Sequence, residues 1–391
     1  MLFCFFFSTI AAAWTATAGA KMFHVAPMQT YTNLPLRRLF SFLAPELTLW
    51  TEMEKLADLK TDDDWSRRFG APGSCFKESD VVLQLGGNRP AEFKEVLSRV
   101  NTREYSFNEV NLNCGCPSVK KDADFGASLM RNPTLTKELL LSMGEALQAT
   151  PTTKISLKCR LSAVETYDDL QGGGGYDYEQ LCKYIHVCVS SGCLSRVVLH
   201  CRPAVMSGLS PVKNRQVPKL KYEFAGQLER DFPGLEVVLN GGVRSYDDLI
   251  ALQDKNLIPS GGVMCGRWCL KEPVYACAAA SSWVNGDDFS GSFDRDVVRS
   301  ALVQYSRFLS SREANLFPRD QLFAPLYLLQ QELQEMDEEK EDYIEWLSDC
   351  VDRIRTRMHR TSSTSFKSIN LNVVGVSKKV VSKWKRNRAE L

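Results

Sequence analysis

The sequence contains no C-x-x-C pair, although thirteen of its 391 residues are cysteines, and its net charge is only +1. The missing spacing argues against a structural zinc site or a disulfide framework, and predicts mostly free thiols in a reducing compartment. A net charge near zero excludes a chain that is basic throughout, so any nucleic-acid binding requires a local basic face. The glycine-rich run at 171–175 lacks the Lys-Ser or Lys-Thr of a P-loop and predicts a flexible insertion.

The first twenty residues carry no charge, and the run from Leu2 to Ile10 is strongly apolar. Two A-x-A sequences, at 16–18 and 18–20, resemble cleavage sites. Residues 1–21 are therefore predicted to be a signal or organelle-targeting segment, although the usual basic region is missing. An over-extended start, with Met22 as the true initiator, explains the same residues equally well. The apolar run is short for a membrane span, so no stable membrane association is expected of the mature protein.

Eight short apolar runs, separated by segments of helical or loop character, dominate residues 22–288. Each is rich in Val, Leu and Ile, which is typical of strands buried on both faces. The runs are Phe23–Met28, Leu47–Met53, Val81–Gly87, Glu109–Gly115, Lys154–Arg160, Arg196–Arg202, Glu236–Gly242 and Gly262–Arg267. Helices are predicted at Pro90–Asn101, Leu135–Ala149, Tyr178–Ser190, Tyr222–Asp231 and Tyr246–Lys255. This alternation favours an α/β fold, a closed (β/α)8 TIM barrel, over an open sheet.

From about residue 290 the pattern changes to helical periodicity, and residues 289–361 are predicted to form a small helical domain. The residues of its apolar faces are Val297, Val298, Ala301, Leu302, Tyr305, Phe308 and Leu309, then Leu322, Leu326, Leu329 and Leu333, then Ile344, Leu347, Val351 and Ile354. An acidic run at 335–342 is predicted to be a solvated face or loop. Residues 362–391 form a polar tail that ends in a basic cluster around Trp384.

Polar residues or glycines stand at the carboxyl end of every predicted strand. They are Pro27-Met28, Glu52, Gln84, Asn113 with Cys116, Lys158 with Arg160, His200 with Arg202, Asn240-Gly241-Gly242, and Gly266-Arg267. In a (β/α)8 barrel this end carries the active site, so all eight positions are expected around one mouth. The loops after the seventh and eighth strands often bind phosphate, and their glycines and Arg267 predict a phosphate-bearing cofactor. Lys158 and Gln84 could serve a flavin ring, although Gln84 alone is as easily an ordinary strand-end group.

Cys116 lies just after the fourth predicted strand and is expected to be exposed in the cleft, whereas Cys114 precedes the glycine turn. A thiol with its ordinary pKa near 8.5 stays protonated at neutral pH and can donate a proton. A metal ligand or a resting nucleophile would instead need a depressed pKa. The pattern therefore predicts a candidate acid, with an incidental turn cysteine as the alternative.

At these residues the sequence resembles the tRNA-dihydrouridine synthases, most closely their bacterial A-type subgroup. The matching strings are V-A-P-M (25–28), T-E-M (51–53), L-Q-L-G-G (83–87), N-L-N-C-G-C-P-S (111–118), F-G-A-S-L-M (125–130), L-K-C-R (157–160), H-C-R-P-A-V-M-S-G-L-S-P-V-K-N-R (200–215), N-G-G-V (240–243) and G-V-M-C-G-R (262–267). They extend over about residues 22–285. A generic flavin barrel is not expected to carry the strings at 111–118 and 200–215 together.

The resemblance implies an oxidoreductase that reduces the C5=C6 bond of a uridine in the tRNA D-loop, at U20 or U20a. Cys116 would protonate uracil C5, reduced FMN would deliver hydride to C6, and NADPH would reduce the flavin separately. The resemblance assigns FMN contacts to Pro27, Met28, Gln84, Lys158, His200, Asn240, Gly241, Gly242, Gly266 and Arg267. It assigns contacts with the uridine or tRNA to Asn113, Arg160, Arg202, Lys213, Asn214 and Arg215. The absence of G-x-G-x-x-G agrees with a flavin barrel, which needs no Rossmann unit.

The implied protein has no metal, is a monomer, and works in a compartment that contains tRNA, either an organelle or the cytoplasm. The sequence departs from the family pattern near the presumed RNA face. Pro203 and Val205 stand where the subgroup usually has Lys and Trp, Val212-Lys213 replaces Lys-Glu, and Ser128 replaces a common second Cys. These departures leave the target uridine open. The basic tail is interpreted either as an RNA anchor or as a disordered end.

Two other functions are compatible with parts of the sequence. An FMN-dependent barrel that acts on a small molecule, similar to dihydroorotate dehydrogenase, would need no basic helical appendage. A non-catalytic RNA-binding relative would carry no flavin. The joint presence of Cys116, Lys158, His200 and Arg267 argues against the second alternative.

Overall fold

The computed structural model describes residues 21–62, 65–70, 81–100, 105–117, 125–148, 150–172 and 175–334, with side chains in the last helix described through residue 329. Several sequence predictions lie outside the described residues. They are the targeting segment or over-extended start up to residue 20, the acidic run at 335–342, the apolar face at 344–354 and the tail at 362–391. The predicted insertion at 171–175 is described except for residues 173–174.

Eight parallel strands form a closed barrel, which confirms the predicted (β/α)8 fold. The strands are β1 (Phe23–Val25), β2 (Leu49–Lys55), β3 (Val81–Gly86), β4 (Glu109–Cys114), β5 (Lys154–Arg160), β6 (Leu194–His200), β7 (Glu236–Asn240) and β8 (Val263–Cys265). Strands β2 to β8 pair in chain order, and β8 pairs with β1. The barrel closes between β1 and β2, where Val25 N–H donates to Thr48 O at 2.9 Å and Thr48 N–H donates to Phe23 O at 3.0 Å. A short parallel pair, Ala163–Val164 with Ala204–Val205, lies outside this ring.

Helices surround the barrel and continue beyond it. They are α1 (Leu34–Leu43), α2 (Leu56–Thr61), α3 (Ser66–Phe69), α4 (Pro90–Leu97), α5 (Pro133–Ala146), α6 (Tyr167–Gln171), α7 (Tyr178–Val189), α8 (Glu223–Asp231), α9 (Tyr246–Asp254), α10 (Arg267–Lys271), α11 (Pro273–Asn285), α12 (Arg295–Leu309) and α13 (Arg319–Gln334). All five helices predicted from the sequence are present, with ends within a few residues of the prediction. In the part of the chain that the structure describes, no helix is both long and apolar enough to cross a bilayer.

Side-chain caps determine where several of these helices begin. Asn33 accepts a hydrogen bond from Leu36 N–H at the start of α1, and Asn132 accepts one from Leu135 N–H at the start of α5. Ser245 does the same for α9 through Asp248 N–H. Such caps satisfy backbone donors that the first helical turn leaves unpaired, so the sequence itself specifies these helix starts.

Helices α12 and α13 pack on α1 of the barrel. The Tyr305 hydroxyl joins the two helices by donating to Leu322 O at 2.7 Å. Arg38 of α1 forms a buried ion pair with Glu313, in the turn between α12 and α13, at 3.1 Å. The predicted apolar face of α12 is buried except at Val297, which is 46% exposed. Val297 and Val298 are adjacent and point about 100° apart on a helix, so only Val298 reaches the core.

The barrel interior is layered because alternate residues of each strand point inward. An apolar layer in the middle consists of Ala26, Trp50, Val82, Val198, Val238 and Met264. Toward the amino-terminal ends of the strands lies an ionic layer, in which Arg196 bonds Glu109 and, at 2.8 Å, Glu236. The polar groups of the opposite, carboxyl-terminal end are therefore isolated from the bottom of the barrel by packed side chains, although one hydrogen-bonded path, described below, extends part of the way.

His24 lies in the interior without contact to solvent and is held neutral by its surroundings. Its Nε2 bonds Gly261 O at 3.1 Å, and its Nδ1 accepts Trp50 Nε1–H at 3.4 Å. Burial and then the charge of Arg196 lower the pKa of His24 to about 3. At mildly acidic pH, His24 is therefore protonated in the unfolded chain, where its pKa is ordinary, but stays neutral in the folded chain.

We expect this histidine to destabilise the protein as the pH falls below about 6.5. Its contribution to the unfolding free energy should decline by up to about 1.4 kcal/mol per pH unit between pH 6 and pH 4. Denaturant unfolding at a series of pH values, compared with His24→Gln, measures the effect. The variant removes the titrating group and should show a shallower decline over that window. An identical pH dependence in both proteins would contradict the assignment.

Candidate functional site

Strand register brings the predicted strand-end residues together at the carboxyl-terminal mouth of the barrel. Asn113 is level with Lys158 across β4 and β5, and Arg160 is level with His200 across β5 and β6. His200 is in turn level with Asn240 on β7. Because these residues share the inward-facing parity of their strands, their side chains line one cavity wall.

A chain of amide side chains occupies the wall formed by β3, β4 and β5. Asn113 Nδ2 donates to Gln84 Oε1 at 2.8 Å, and Gln84 Nε2 donates to Asn111 Oδ1 at 2.9 Å. Asn111 Nδ2 then donates to Ser156 Oγ at 2.7 Å. All four residues are buried, so these bonds satisfy polar groups that would otherwise be costly inside the barrel.

Cys116 is exposed at the mouth, as predicted, whereas Cys114 is fully buried against the surrounding helices. Asn113 Oδ1 accepts Cys116 N–H at 3.1 Å, and Cys116 O accepts Ala127 N–H at 2.9 Å. A Cβ on Gly126 would lie 2.6 Å from Cys116 O, so this approach needs a glycine. The backbone of Cys116 is thus held on both sides while its side chain faces the cavity.

Cys116 is exposed as a residue, yet protein atoms lie close around its thiol. This partial burial raises the pKa of the thiol, while the positive charges of Arg160 and Lys158 oppose the rise. A raised pKa keeps the proton on sulfur at neutral pH. The site therefore suits a thiol that donates a proton, and it does not suit a resting thiolate nucleophile or metal ligand.

Lys158 of β5 and Asn240 of β7 form a hydrogen-bonded pair at the mouth. Lys158 Nζ donates to Asn240 Oδ1 at 2.9 Å, and Asn240 Nδ2 donates to Met264 O at 2.9 Å. Burial and then the charge of Arg160 lower the pKa of Lys158 to about 8. Lys158 therefore remains mostly protonated at neutral pH, and its two free N–H donors are available to an electron-rich ligand.

The loop after β7 forms a glycine cradle. Gly242 has φ of +83°, and a Cβ there would lie 2.1 Å from Tyr222 Oη. A Cβ on Gly241 would lie 2.7 Å from His200 Cδ2, and the Tyr222 hydroxyl donates to Gly241 O at 3.0 Å. Only glycines fit here, and their positive φ angles allow successive backbone N–H groups to face an anion such as a phosphate. Burial, followed by the nearby cations Arg160 and Lys158, holds the pKa of His200 well below its usual range, so its imidazole is neutral.

The first and last strands complete the cradle. Pro27 and Met28 are partly buried just after β1, and a Cβ on Gly266 would lie 3.0 Å from Met28 Sδ. Gly266 precedes α10, which begins at Arg267. Glu52 holds the β1 loop by accepting Thr30 N–H. The predicted cofactor residues of β1 and β8 are therefore neighbours, although they lie far apart in the chain.

Five arginines surround the mouth: Arg160, Arg202, Arg215, Arg244 and Arg267. Burial and the neighbouring guanidinium groups lower the pKa of Arg267, and burial lowers that of Arg160 to about 10. Among the described residues, no carboxylate forms an ion pair with Arg202, Arg244 or Arg267. The unpaired charges of these three arginines attract a polyanion.

The residues predicted to contact the uridine or tRNA fall into two groups. Lys213 is exposed, and Arg215 is partly exposed. In contrast, Arg160 is buried and donates to Gly115 O, Pro203 O and Asn214 O. Asn214 is fully buried and bonds the backbone of Val205 at 2.8 and 2.9 Å. Arg160 and Asn214 therefore hold the loops of the mouth.

Arg202 resembles this second group in part. Its Nη1 donates to Pro218 O, while its Nε has no hydrogen-bond partner in the described ranges. This Nε is buried, so any contact of Arg202 with a ligand at the rim of the mouth must come from its terminal Nη groups.

Four residues of the site were not assigned a role from the sequence: Asn111, Ser156, Tyr222 and Arg244. Asn111 precedes Asn113 by two residues, and Ser156 precedes Lys158 by two, so period-2 alternation could have placed both inside the barrel. Arg244 directly follows the N-G-G-V string and could have been included with it. Nothing in the sequence marks Tyr222, whose position depends on tertiary packing.

Comparisons with known proteins were consistent with this geometry. Residues 24–356 match the family model described as "Dihydrouridine synthase (Dus)". The tRNA-dihydrouridine(20/20a) synthase of Xanthomonas axonopodis pv. citri is 37% identical over 68% of this chain and 72% of its own length. The enzymes of the same name from Pseudomonas aeruginosa and Escherichia coli O6:H1 are 36% and 32% identical, over 69% and 73% of this chain and 74% and 77% of theirs. The resemblance to the bacterial A-type subgroup is thereby confirmed, and the chain belongs to the dihydrouridine synthase family.

Proposed function

We propose that this protein is a tRNA-dihydrouridine synthase that uses FMN and NADPH to reduce the C5=C6 bond of a D-loop uridine, at position 20 or 20a. The observation that carries the proposal is an exposed, protonated thiol, Cys116, beside the polar mouth of the barrel. The bacterial relatives, which are tRNA-dihydrouridine(20/20a) synthases by name, support the same reaction and the same positions.

The residues of the mouth fit FMN. Gly241 and Gly242 have φ of +112° and +83°, a conformation in which successive backbone N–H groups can bind a phosphate, Gly266 lies beside them on the last strand, and Arg267 offers a guanidinium without a carboxylate partner among the described residues. Pro27, Met28, Gln84, Lys158, His200 and Asn240 line the remaining wall and would hold the flavin ring. When bound and reduced by NADPH, FMN supplies a hydride to C6 of the uracil ring.

Cys116 would supply the proton that completes the reduction. Addition at C6 builds negative charge at C5 and O4 of the base, and the thiol proton transferred to C5 neutralises it. Asn113 Oδ1 accepts the Cys116 N–H at 3.1 Å, and one N–H of Asn113 Nδ2 remains to donate to the base. Lys158, protonated at neutral pH, stabilises negative charge in the same cavity.

The substrate base must leave its RNA stack to reach a cavity at the end of a barrel. The arginine cluster around the mouth provides the attraction for the flanking phosphates, and the exposed Lys213 extends it. We assign catalysis to the barrel, residues 22–288, and further tRNA contacts to the helices that follow it. Arg202, whose charge has no carboxylate partner among the described residues, is suited to a nearby phosphate or the base.

The direct test is purification of the protein, measurement of bound FMN, and NADPH oxidation in the presence of unmodified tRNA. We expect a yellow protein that forms dihydrouridine at position 20 or 20a, mapped by sequencing. Free uridine and dihydroorotate serve as controls for a small-molecule enzyme. A protein that takes up no FMN, or that reduces only the small molecules, would overturn the proposal.

Lys158 should make FMN binding depend on pH. Because its pKa is lowered to about 8, the ammonium loses its proton as the pH rises through that value, and FMN affinity should fall. The loss of one charge-assisted hydrogen bond corresponds to roughly ten- to a hundredfold weaker binding. Fluorescence titration of FMN from pH 7 to pH 9 measures the change. Lys158→Arg stays charged and should bind with little pH dependence, so a parallel decline in that variant would refute the role of Lys158.

A further inference from the structure

One continuous hydrogen-bonded path runs from the mouth of the barrel down to Ser156, above the ionic layer. It starts at the Cys116 backbone and passes through Asn113, Gln84, Asn111 and Ser156, with successive distances of 3.1, 2.8, 2.9 and 2.7 Å. We call this the amide path. Glu109 of the ionic layer bonds Arg196 through Oε2, and its Oε1 has no hydrogen-bond partner in the described part of the chain.

The upper end of the amide path determines the direction of every bond below it. The backbone N–H groups of Gly115 and Cys116 can only donate, so Asn113 must present Oδ1 to them. Its Nδ2 then faces Gln84, which must present Oε1. Gln84 Nε2 therefore faces Asn111, and Asn111 Nδ2 faces the serine hydroxyl.

The lower end of the amide path is the Ser156 hydroxyl, which accepts from Asn111 Nδ2 at 2.7 Å. With the upper end fixed by backbone N–H groups, no amide along the path can be rotated without placing two donors or two acceptors against each other.

Taken together, the contacts lead us to propose that Ser156 and Asn111 are positioning residues for the uridine reduction proposed above. They hold Gln84 in the orientation that Asn113 imposes, because Asn111 Oδ1 accepts from Gln84 Nε2 and Ser156 Oγ accepts from Asn111 Nδ2. Gln84 thereby offers its ligand one N–H and one oxygen lone pair in a set arrangement, and Asn113 offers one N–H. The inference depends on the proposed function, because the ligand that binds to these donors and acceptors is the flavin or the base.

Ser156→Ala is the decisive variant, because it removes the acceptor of Asn111 Nδ2–H, so that Asn111 no longer has to hold its Oδ1 toward Gln84. We expect kcat for tRNA to fall about tenfold, as is reasonable for a small misplacement of reacting groups. FMN should bind more weakly and with an altered absorption spectrum, while KM for tRNA should stay unchanged. Ser156→Thr, which keeps a hydroxyl, should restore kcat and the spectrum.

Ser142→Ala is the matched control. Ser142 is equally buried and donates to Pro90 O at 2.7 Å, but it lies on α5 outside the barrel. If the role of Ser156 is purely structural, both alanine variants should lose stability while kcat, FMN affinity and the absorption spectrum stay unchanged. This result would overturn the inference. If Ser156→Ala does not fold, Ser156→Cys takes its place, and the same changes in kcat, FMN affinity and absorption spectrum are expected of it. A wild-type protein without FMN or activity would instead count against the proposed function.

Discussion

Replacing Cys116 by alanine is expected to abolish nearly all uridine reduction while leaving bound FMN in place. A positioned general acid typically contributes about 10²–10⁴-fold, and the loss should be of that order. The thiol is exposed at the mouth and its backbone is held by Asn113 and Ala127, so the side chain can be shortened without disturbing the fold. Single-turnover formation of dihydrouridine in purified tRNA, with flavin content measured by absorbance, is the appropriate assay.

Cys182→Ala is a suitable control, because this partly exposed thiol lies on α7 away from the mouth. We expect it to retain full activity. The wild-type rate should also decline at alkaline pH, since burial raises the pKa of Cys116 and the acid is lost only above that pKa. Turnover by Cys116→Ala at the wild-type rate would remove the thiol from the reaction.

Replacing Arg196 by methionine should have the largest effect on stability. The side chains of Arg196 and Glu109 are 5% and 4% exposed, and Glu236 also bonds Arg196, at 2.8 Å. Without the guanidinium, two carboxylates are left in the barrel interior with too little compensation. Removing one partner of a buried ion pair typically costs about 3–5 kcal/mol. Urea unfolding, monitored by circular dichroism at pH 7, gives the change in unfolding free energy.

Two controls separate a buried unpaired charge from the loss of any ion pair. The double variant Glu109→Gln with Arg196→Met removes one stranded charge and should recover part of the stability. Lys183→Met breaks an exposed pair with Glu179 and should leave the unfolding midpoint unchanged. An Arg196→Met protein as stable as the wild type would show that this layer is not an ionic network in solution.

The barrel could be predicted because its strands are buried on both faces and therefore appear as uninterrupted apolar runs. Most of the mouth could be predicted as well, because the carboxyl ends of all barrel strands meet at one end. Side-chain direction at the end of a strand was harder to predict. Arg160 and Asn214 belong to the matching strings, yet their polar groups bond backbone carbonyls and amides of the surrounding loops.

The amide path depends on pairings between strands that no local pattern specifies. Asn111 meets Ser156 only because β4 and β5 are in one particular register, and a shift by one residue would turn both side chains outward. Val297 in helix α12 shows that burial is equally hard to predict from the sequence within a helix. Hydrophobicity alone does not distinguish it from Val298, and only packing against α1 decides which of them is buried.

The helices after the barrel bear on how the chain folds during synthesis. Helix α1 follows the strand that closes the ring, and its Arg38 pairs with Glu313, 275 residues further along. Strand β1 likewise obtains one of its two neighbours only from β8. An emerging nascent chain thus carries an open sheet edge and an uncovered α1 until nearly the whole polypeptide has left the ribosome. Such an intermediate exposes apolar surface for many seconds at ordinary translation rates, which makes it a natural client for chaperones.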